Sequence, residues 1–233
     1  MKSKLISVIT VVYNNVELIE DTIKSVLSYE RDSFEYIIID GGSTDGTVEV
    51  INKYLDEIST FITEKDKGIY DAMNKGISHS NGTFVYFINC GDRLLNLPIK
   101  ELSDNISNDI NCFPVELSSG KKLIPSNGFM LKLKNTLPHQ GCFYKKSKDL
   151  KYDLDYKVFS DFNLNQQIYQ KKGKICAFSE PVVAFHDMGG ISHDKKYSKE
   201  IFKVVNNNFG VKYKFFSWIY FKNRGLIHRF KNI

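Results

Sequence analysis

Two aspartates, Asp40 and Asp92, stand where a side chain can bind a ligand. Asp40 directly follows the apolar run 34–39, Asp92 comes shortly after the run 84–88, and each neighbours a glycine. A carboxylate in this setting can simply cap the turn that follows, but two of them favour a ligand site. Mg²⁺ and Mn²⁺ typically take one or two carboxylates together with phosphate oxygens. Asp92 is therefore a candidate metal ligand.

The glycine patterns of phosphate-binding loops are missing from this sequence. No G-x-G-x-x-G follows the first apolar run, and no G-x-x-x-x-G-K-S/T occurs. If the chain binds a nucleotide, its phosphates must be held in another way. A metal ion on Asp92 is the alternative that the residues suggest.

Strand and helix patterns alternate along the chain up to Asp92. Apolar runs without helical spacing predict strands over 5–13, 34–39, 61–62 and 84–88. Apolar residues three and four apart predict helices after Asn14-Asn15, after Gly46 and over 69–77. The alternation is typical of an α/β fold with a Rossmann-like, doubly wound, mostly parallel sheet and helices on both faces. Strand ends gather at one edge of such a sheet, which predicts one crevice lined by Tyr13, Asp40, residues 64–67 and Asp92.

The patterns after residue 95 are weaker. They predict a short broken helix over 94–106, a hairpin of 111–117 with 121–124, and late strands over 174–179 and 182–185. A helix is predicted from about residue 158, with Ser160 as its N-cap and Asp161 in its first turn. His139 lies on a loop between Pro138 and Gly141, where it can be functional or can cap the next strand with a hydrogen bond.

Length and composition bound the class of protein. The chain has 233 residues, 42% hydrophobic and 25% charged, which suits one large globular unit. Its four cysteines are widely spaced, which argues against a zinc site and a disulfide scaffold and favours a reducing cytosol. Neither a cleavable signal peptide nor an apolar run long enough to span a bilayer is visible.

Positive charge is concentrated at the C-terminus. The last 39 residues carry ten Lys or Arg and one Glu, a net charge of +9, which leaves −4 for the preceding 194 residues. Seven aromatic or large apolar residues lie among these charges between 213 and 221. The mixture suits an anionic membrane surface. It equally suits a terminal helix that docks its aromatic face on the main domain and leaves its lysines in solvent.

Four segments together resemble the successive motifs of the family 2 glycosyltransferases: ISVITVVYNN, YIIIDGGSTDGT, EKDKGIYDAMNKGI and YFINCGD. The resemblance covers the first 95 residues closely and the chain to about residue 193 loosely. It implies a GT-A domain over 1–193, with a nucleotide-sugar-binding half at 1–95 and an acceptor and catalytic half at 96–193. A basic, aromatic, helical extension at 194–233 would follow. DKGIYDAMNKGI followed by N-x-G-D is similar to bacterial members that build capsular, exopolysaccharide or lipopolysaccharide glycans.

The resemblance also implies a set of donor-binding residues. Val11 and Tyr13 match positions that contact the nucleobase, and Asp40 matches the carboxylate that pairs with the uracil or ribose edge. The expected nucleotide and diphosphate contacts are Asp66, Lys67, Asn74 and Lys75. Asp92 matches the last acid of a DXD-type motif, which coordinates a divalent cation. Its first acid is replaced here by Asn89 or Cys90, so one direct carboxylate ligand is implied.

In the catalytic half, the resemblance favours Asp161 over Asp153 and Asp155 as the base that deprotonates the acceptor. It places the pair His139-Gln140 near the sugar or acceptor. His186 can complete the metal shell or can be only hydrogen-bonded. Residues 189–192 (GGIS) are similar to a loop that closes over the donor.

The resemblance implies an inverting, metal-dependent hexosyltransferase that uses Mn²⁺ or Mg²⁺ and a nucleotide-sugar donor, with UDP expected from the family. The predicted acceptor is a glycan or lipid-linked glycan in cell-surface polysaccharide synthesis, and no nucleic acid is expected. The predicted location is the cytoplasm. Peripheral contact with the inner face of the cytoplasmic membrane and a homodimer are left open. Two other functions also stay open: a sugar nucleotidyltransferase and a non-catalytic, nucleotide-binding partner subunit.

Overall fold

The computed structural model describes residues 4–187, 197 and 199–230. Its strands are β1 (Ile6–Val12), β2 (Phe34–Asp40), β3 (Thr60–Thr63), β4 (Phe84–Phe87), β5 (Arg93–Leu94), β6 (Ile110–Cys112), β7 (Val115–Leu117), β8 (Lys122–Leu123), β9 (Cys142–Lys145), β10 (Ile175–Ala177) and β11 (Ala184–His186). Its helices are α1 (Val16–Leu27), α2 (Thr47–Asn52), α3 (Ile69–His79), α4 (Ile99–Asp104), α5 (Ser160–Gln170), α6 (Glu200–Phe209) and α7 (Val211–Phe230).

Seven strands form a central sheet in the order β10-β6-β9-β4-β1-β2-β3. The first four strands of the chain run parallel, and β9 runs antiparallel to both β4 and β6. The predicted mostly parallel α/β sheet is therefore confirmed. The chain reverses its direction of winding at β1, which has β2 on one side and β4 on the other. A crevice for ligands is expected outside the strand ends at such a point.

Both faces of the sheet are covered, which explains why β1 is apolar without alternation. Ile6, Val8 and Val12 belong to the core that contains Ile19 and Ile23 of α1. Ile9 and Val11, on the opposite face, pack in the core with residues of α3 and α5.

The predicted hairpin is wrong in one respect. Its first arm, predicted as one strand over 111–117, is two separate strands. β6 ends at Cys112 in the central sheet, and β7 begins at Val115 in a separate four-stranded sheet of order β5-β11-β7-β8. Pro114 lies between them and has no N–H to donate to a ladder, which favours a break there. The predicted hairpin is present as β7 with β8.

The predicted N-cap of α5 is also wrong. The helix begins at Ser160 itself, and the Ser160 hydroxyl donates to the Asp153 carbonyl at 2.8 Å. The backbone that leads into the helix is instead bound by a residue about 40 positions later in the sequence. The Glu200 carboxylate at the start of α6 accepts the backbone N–H groups of Lys157, Val158 and Phe159 at 2.8, 2.8 and 2.9 Å.

The C-terminal helices pack on the domain. Val204 and Val205 of α6 are fully buried in the core that contains Phe162 of α5. The Ser217 hydroxyl of α7 is buried and donates to the Leu133 carbonyl at 2.7 Å. Within the described part of the chain, no helix is long and apolar enough to cross a bilayer.

Candidate functional site

A cavity of about 850 Å³ lies at the ends of β1 and β2 and beside the loop from β3 to α3. Four of the residues predicted to bind the donor line it: Val11, Tyr13, Asp66 and Lys67. Val11 and Tyr13 come from β1 and the turn that follows it, and Asp66 and Lys67 come from the loop that follows β3. The structure therefore brings Tyr13, Asp66 and Lys67 together as the strand pattern predicts, and it places Val11, which only the resemblance indicated, beside them.

Gly41 allows Tyr13 and Asp66 to approach each other at the mouth of this cavity. A Cβ on Gly41 would lie 3.2 Å from both Tyr13 Cδ2 and Asp66 Oδ2, closer than ordinary contact. The Tyr13 ring remains 65% exposed. An exposed aromatic face beside a carboxylate can bind a flat, hydrogen-bonding ring such as a nucleobase.

Asp40 is placed behind the cavity and does not line it. Its Oδ2 accepts the N–H groups of Gly42 and Ser43 and the Thr63 hydroxyl, at 3.0, 2.9 and 2.6 Å. Its Oδ1 accepts the Ser43 hydroxyl at 2.5 Å, and the residue is fully buried. Gly42 has φ +81°, a conformation that glycine adopts readily. In this structure Asp40 organises the turn, and its expected contact with the uracil or ribose edge remains a prediction.

Asn74 and Lys75 of α3 also do not line the cavity. Asn74 forms two hydrogen bonds with the backbone of Tyr152, donating to its carbonyl at 2.9 Å and accepting its N–H at 2.7 Å. Lys75 pairs with Asp66 and lies 2.8 Å from Glu64 Oε1. The pKa of Asp66 is raised, chiefly by burial, although the hydrogen bond and the charge of Lys75 act to lower it. Lys75 therefore positions a residue that lines the cavity, whereas the expected diphosphate contacts remain predictions.

A second cavity of about 640 Å³ adjoins the first, and Asn15, Ile69, Asn89 and Cys90 line both. The remaining residues that concern chemistry line this second cavity: Asp92, His139, Gln140, Asp161 and His186. Asp92 from the first half of the chain and Asp161 from the second half thus line the same cavity.

Asp92 is buried and accepts hydrogen bonds on both carboxylate oxygens. Gln140 Nε2 donates to Oδ2 at 3.0 Å, and the Asp187 N–H donates to Oδ1 at 3.1 Å. His186 Nδ1 lies 2.7 Å from Oδ1. Burial lowers the pKa of His186, but the hydrogen bond to Asp92 and its charge raise it, and the net shift is upward.

The residues around Asp92 fit a hard divalent cation. Asn89 Oδ1 is buried, and within the described residues it has no hydrogen-bond partner. A carboxylate and an amide oxygen are both hard donors, the type that Mg²⁺ and Mn²⁺ prefer. Among described residues, no three His, Cys, Asp or Glu side chains form a metal-binding group. A cation held here would therefore depend on further oxygens, such as those of a bound diphosphate.

Asp161 lies in the first turn of α5, as the helical pattern predicts, and its side chain is almost fully buried. Asn135 Nδ2 donates to Oδ2 at 2.9 Å, and the Tyr70 hydroxyl lies 3.3 Å from Oδ1. Burial raises the pKa of Asp161 to about 6. The carboxyl group is then mostly ionised at neutral pH. Its pKa is also close enough to neutral pH for the carboxylate to accept a proton from a hydroxyl group.

His139 is held as a neutral group. Its Nε2 lies 3.0 Å from the Tyr152 hydroxyl, and its ring stacks on Phe87 with centroids 5.5 Å apart. Burial lowers its pKa to about 4. His139 can therefore exchange hydrogen bonds with a ligand in the cavity but carries no charge at neutral pH.

Gln140, which the resemblance places near the sugar or acceptor, connects Asp92 with His186, since Nε2 also lies 3.0 Å from His186 Nδ1. Asn135 also shapes the site and lies outside the predicted set. It is held in turn by Asn165 at 3.3 Å, and no local pattern in the sequence indicates it. The competing candidates for the base, Asp153 and Asp155, are exposed and lie outside the cavity linings, and the GGIS segment falls outside the described residues.

Comparisons of the sequence with known proteins give a consistent picture. The model of Glycosyl transferase family 2 matches residues 7–102. An uncharacterized glycosyltransferase of Mycobacterium tuberculosis is 30% identical over 203 residues, covering 76% of this chain and 71% of the relative. A PGL/p-HBAD biosynthesis glycosyltransferase of Mycobacterium bovis is 26% identical over 225 residues, covering 86% of this chain and 85% of the relative.

Solved structures of similar fold include two nucleotide-sugar complexes. Staphylococcus aureus TarS 1-349 in complex with UDP-GlcNAc has a TM-score of 0.69 and 17% identity, covering 88% of this chain and 67% of that one. The mannosyltransferase PcManGT from Pyrobaculum calidifontis, in complex with GDP-Man and Mn²⁺, has a TM-score of 0.63 and 14% identity, covering 91% and 67%. The chain spans only 39% of a longer TarS structure. At these identities the likeness supports the GT-A fold alone.

Proposed function

We propose, from the premise that this chain belongs to glycosyltransferase family 2, that it transfers a sugar from a nucleotide-sugar donor to a hydroxyl of a glycan or lipid-linked glycan. The observation that carries the proposal is the pair of adjoining cavities. One offers Tyr13 and Asp66 to a nucleoside, and the other holds Asp92 and Asp161 together.

Asp161 is the proposed base. The acceptor hydroxyl would give its proton to a carboxylate oxygen of Asp161 while the hydroxyl oxygen bonds to the anomeric carbon. The bond from that carbon to the diphosphate would break in the same step, and the configuration would invert. Asn135 supports this role because its 2.9 Å hydrogen bond fixes the orientation of the carboxylate.

Asp92 and Asn89 would hold a divalent cation, with His186 either as a further ligand or as the hydrogen-bonded support of Asp92. When bound, the cation would supply positive charge beside the departing diphosphate. Gln140 and the Asp187 N–H would fix the Asp92 carboxylate, as partners of ligating carboxylates commonly do.

The relatives suggest a biological setting. The M. bovis relative is named for PGL/p-HBAD biosynthesis. A putative teichuronic acid biosynthesis glycosyltransferase, TuaG of Bacillus subtilis, is 39% identical over 92 residues, covering 38% of this chain and 36% of that relative. These names support an acceptor in cell-surface glycan synthesis. The bound donors of the structural neighbours support UDP- or GDP-sugars and Mn²⁺. The four cysteines are free thiols, which suits a cytoplasmic enzyme.

Slow donor hydrolysis is the first test. The protein would be incubated with Mn²⁺ and a panel of UDP- and GDP-sugars, and release of the nucleoside diphosphate would be measured. Asp92→Ala and Asp161→Ala should each abolish transfer to an acceptor while leaving the protein folded by circular dichroism. Normal turnover by the first variant would remove the metal assignment, and normal turnover by the second would place the base elsewhere.

Two companion measurements separate the two other functions. A nucleotidyltransferase would release pyrophosphate from a nucleoside triphosphate and a sugar phosphate, which is not expected here. A non-catalytic subunit would bind a nucleotide sugar, measurable by calorimetry, without hydrolysing it. Hydrolysis of a single donor in the panel would also identify the sugar and base.

A further inference from the structure

Helix α7 presents an apolar and aromatic stripe to solvent. Val211, Phe215 and Trp218 are spaced four and three residues apart, so they lie on one face of the helix. They are 74%, 56% and 46% exposed, and the rings of Phe215 and Trp218 stack with centroids 6.3 Å apart. Large apolar side chains that are grouped in this way commonly mark an interaction surface.

The opposite face of α7 is already docked on the domain. The Lys132 ammonium lies 5.2 Å from the Tyr213 ring centroid, and the Lys134 ammonium lies 5.1 Å from that of Tyr220. Between them, the Ser217 hydroxyl donates to the Leu133 carbonyl. The aromatic residues of α7 therefore divide into an inner set that packs on the domain and an outer set that does not.

Basic side chains border the outer stripe. Lys212 and Lys214 are exposed on either side of it, and the Lys222 ammonium lies 4.7 Å from the Trp218 ring centroid. The sequence of α7 contains no Asp or Glu. A second copy of the chain docked through the same face would place lysines against lysines, which is unfavourable. An anionic partner meets no such repulsion.

We infer that the outer stripe of α7 adsorbs to an anionic lipid bilayer. Phe215 and Trp218 enter the headgroup region while the three lysines contact the lipid phosphates. The helix lies on the bilayer and does not cross it. The contact with the bilayer does not depend on the proposed function, but its role does. If the protein is the proposed glycosyltransferase, adsorption brings the enzyme to lipid-linked acceptors.

A short segment connects the stripe to the proposed base. Residues 132–134 contact the inner face of α7, and the next residue, Asn135, donates to Asp161. Helix α7 is thus anchored to the three residues that directly precede Asn135, which orients the carboxylate. Adsorption would orient the catalytic half relative to the bilayer, where the hydroxyl of a lipid-linked acceptor is found.

Vesicle flotation with the full chain tests the inference. The protein should float with vesicles of phosphatidylglycerol and phosphatidylcholine, and should not float with phosphatidylcholine alone. Replacing the three lysines together (K212Q, K214Q, K222Q) should weaken binding on the order of 100-fold, from about fivefold for each lysine near an anionic surface. The double variant F215S/W218S should weaken it at least roughly tenfold, because apolar area no longer enters the interface.

Matched variants elsewhere on the surface serve as controls. L55S/I106S removes two exposed apolar side chains, and K53Q/K121Q/K148Q removes three exposed charges. Both should float like the unaltered protein. Equal loss of binding in the control variants would overturn the inference, as would unchanged binding in the α7 variants.

Two further measurements keep the outcomes distinct. If size-exclusion chromatography shows a dimer that F215S/W218S converts to monomer, while flotation is unchanged, the stripe is a contact between copies and the membrane inference fails. Donor hydrolysis without vesicles should be equal in the unaltered protein and in F215S/W218S. If the unaltered protein hydrolyses no donor, the proposed function fails. If it hydrolyses a donor but does not float with anionic vesicles, only the membrane inference fails.

Discussion

The two halves of the chain position their site residues in different ways. Up to residue 95, Tyr13 and Asp66 reach the donor cavity directly from the ends of parallel strands or from the loops that follow them. After residue 95, Asp161 is held by Asn135, and the loop before Asp161 is held by Glu200. The first arrangement depends on the sheet, and the second depends on hydrogen bonds between distant segments.

This difference predicts how far the effect of a substitution travels. A side chain at a strand end can be removed without loosening the strand, so the effect should stay with donor binding. A side chain that connects two loops affects both the stability and the geometry of the site. The following substitutions test this contrast, beginning with the largest effect.

Asp161→Asn should lower kcat by roughly 10² to 10⁴-fold, the range for loss of a general base, while donor binding stays nearly unchanged. Steady-state kinetics and calorimetric titration with the donor would measure the two effects. Asp153→Asn and Asp155→Asn are matched controls, since both side chains are exposed. A comparable loss in either control, with Asp161→Asn active, would move the base.

The activity should also depend on pH in a defined direction. Burial raises the pKa of Asp161 to about 6, so below that pH the carboxyl group is protonated and cannot accept a proton. The value of kcat/KM should therefore fall about tenfold per pH unit below pH 6 and level off above it. The residual activity of Asp161→Asn should lack this acid limb, and an identical limb in the variant would assign the titration to another group.

Gln140→Ala should lower activity by roughly 10- to 100-fold, the usual cost of removing a hydrogen-bond partner of a metal ligand. The cause would be a less well oriented Asp92, so the concentration of Mn²⁺ needed for half-maximal activity should rise. Gln170→Ala is the control, because that side chain lies on the surface of the same half. An unchanged requirement for Mn²⁺ would separate Gln140 from the metal site.

Glu200→Ala should reduce the free energy of unfolding by about 2 kcal/mol, because three backbone N–H groups lose a charged acceptor. Urea denaturation would measure this change. We also expect a lower kcat, since the loop that leads to Asp161 loses its anchor. A loss of stability with unchanged kcat would show that the two halves differ less than the contacts indicate.

Tyr13→Ala should have the smallest effect and the most local one. Loss of stacking on the base should weaken the binding free energy of the donor by about 1 kcal/mol, which raises its Kd roughly fivefold. The free energy of unfolding should stay the same, because the ring is mostly exposed. A clear drop in the melting temperature of this variant would show that substitutions in the donor half are not confined to donor binding, contrary to the contrast drawn above.

The strands and helices up to Asp92 could be predicted because their signals are local. The spacing of apolar residues within β1, α1 and α3 is enough to set each element, and the order of the elements sets the sheet. The motifs of this region then indicated the family. Even here, the side chains of Asp40 and Asn74 point to backbone partners, which neither spacing nor motif reveals.

The second half could be predicted only in part because its determinants are not local. Asp92 and His186 are 94 positions apart in the sequence, and Asn135 and Asp161 are 26 apart. No periodicity connects such pairs. The N-cap prediction at Ser160 was wrong for the same reason, since the groups before the helix are satisfied by Glu200, about 40 residues further along the chain.

The contact between Glu200 and the loop before α5 has a consequence for building chimaeric enzymes. If acceptor specificity resides in the second half, an exchange between two relatives at residue 193 would join the loop of one parent to the α6 of the other. The three N–H groups would then face a carboxylate from a different parent. Crossovers placed upstream of Lys157, which carry α5 and α6 together, keep this contact within one parent and should yield more folded hybrids.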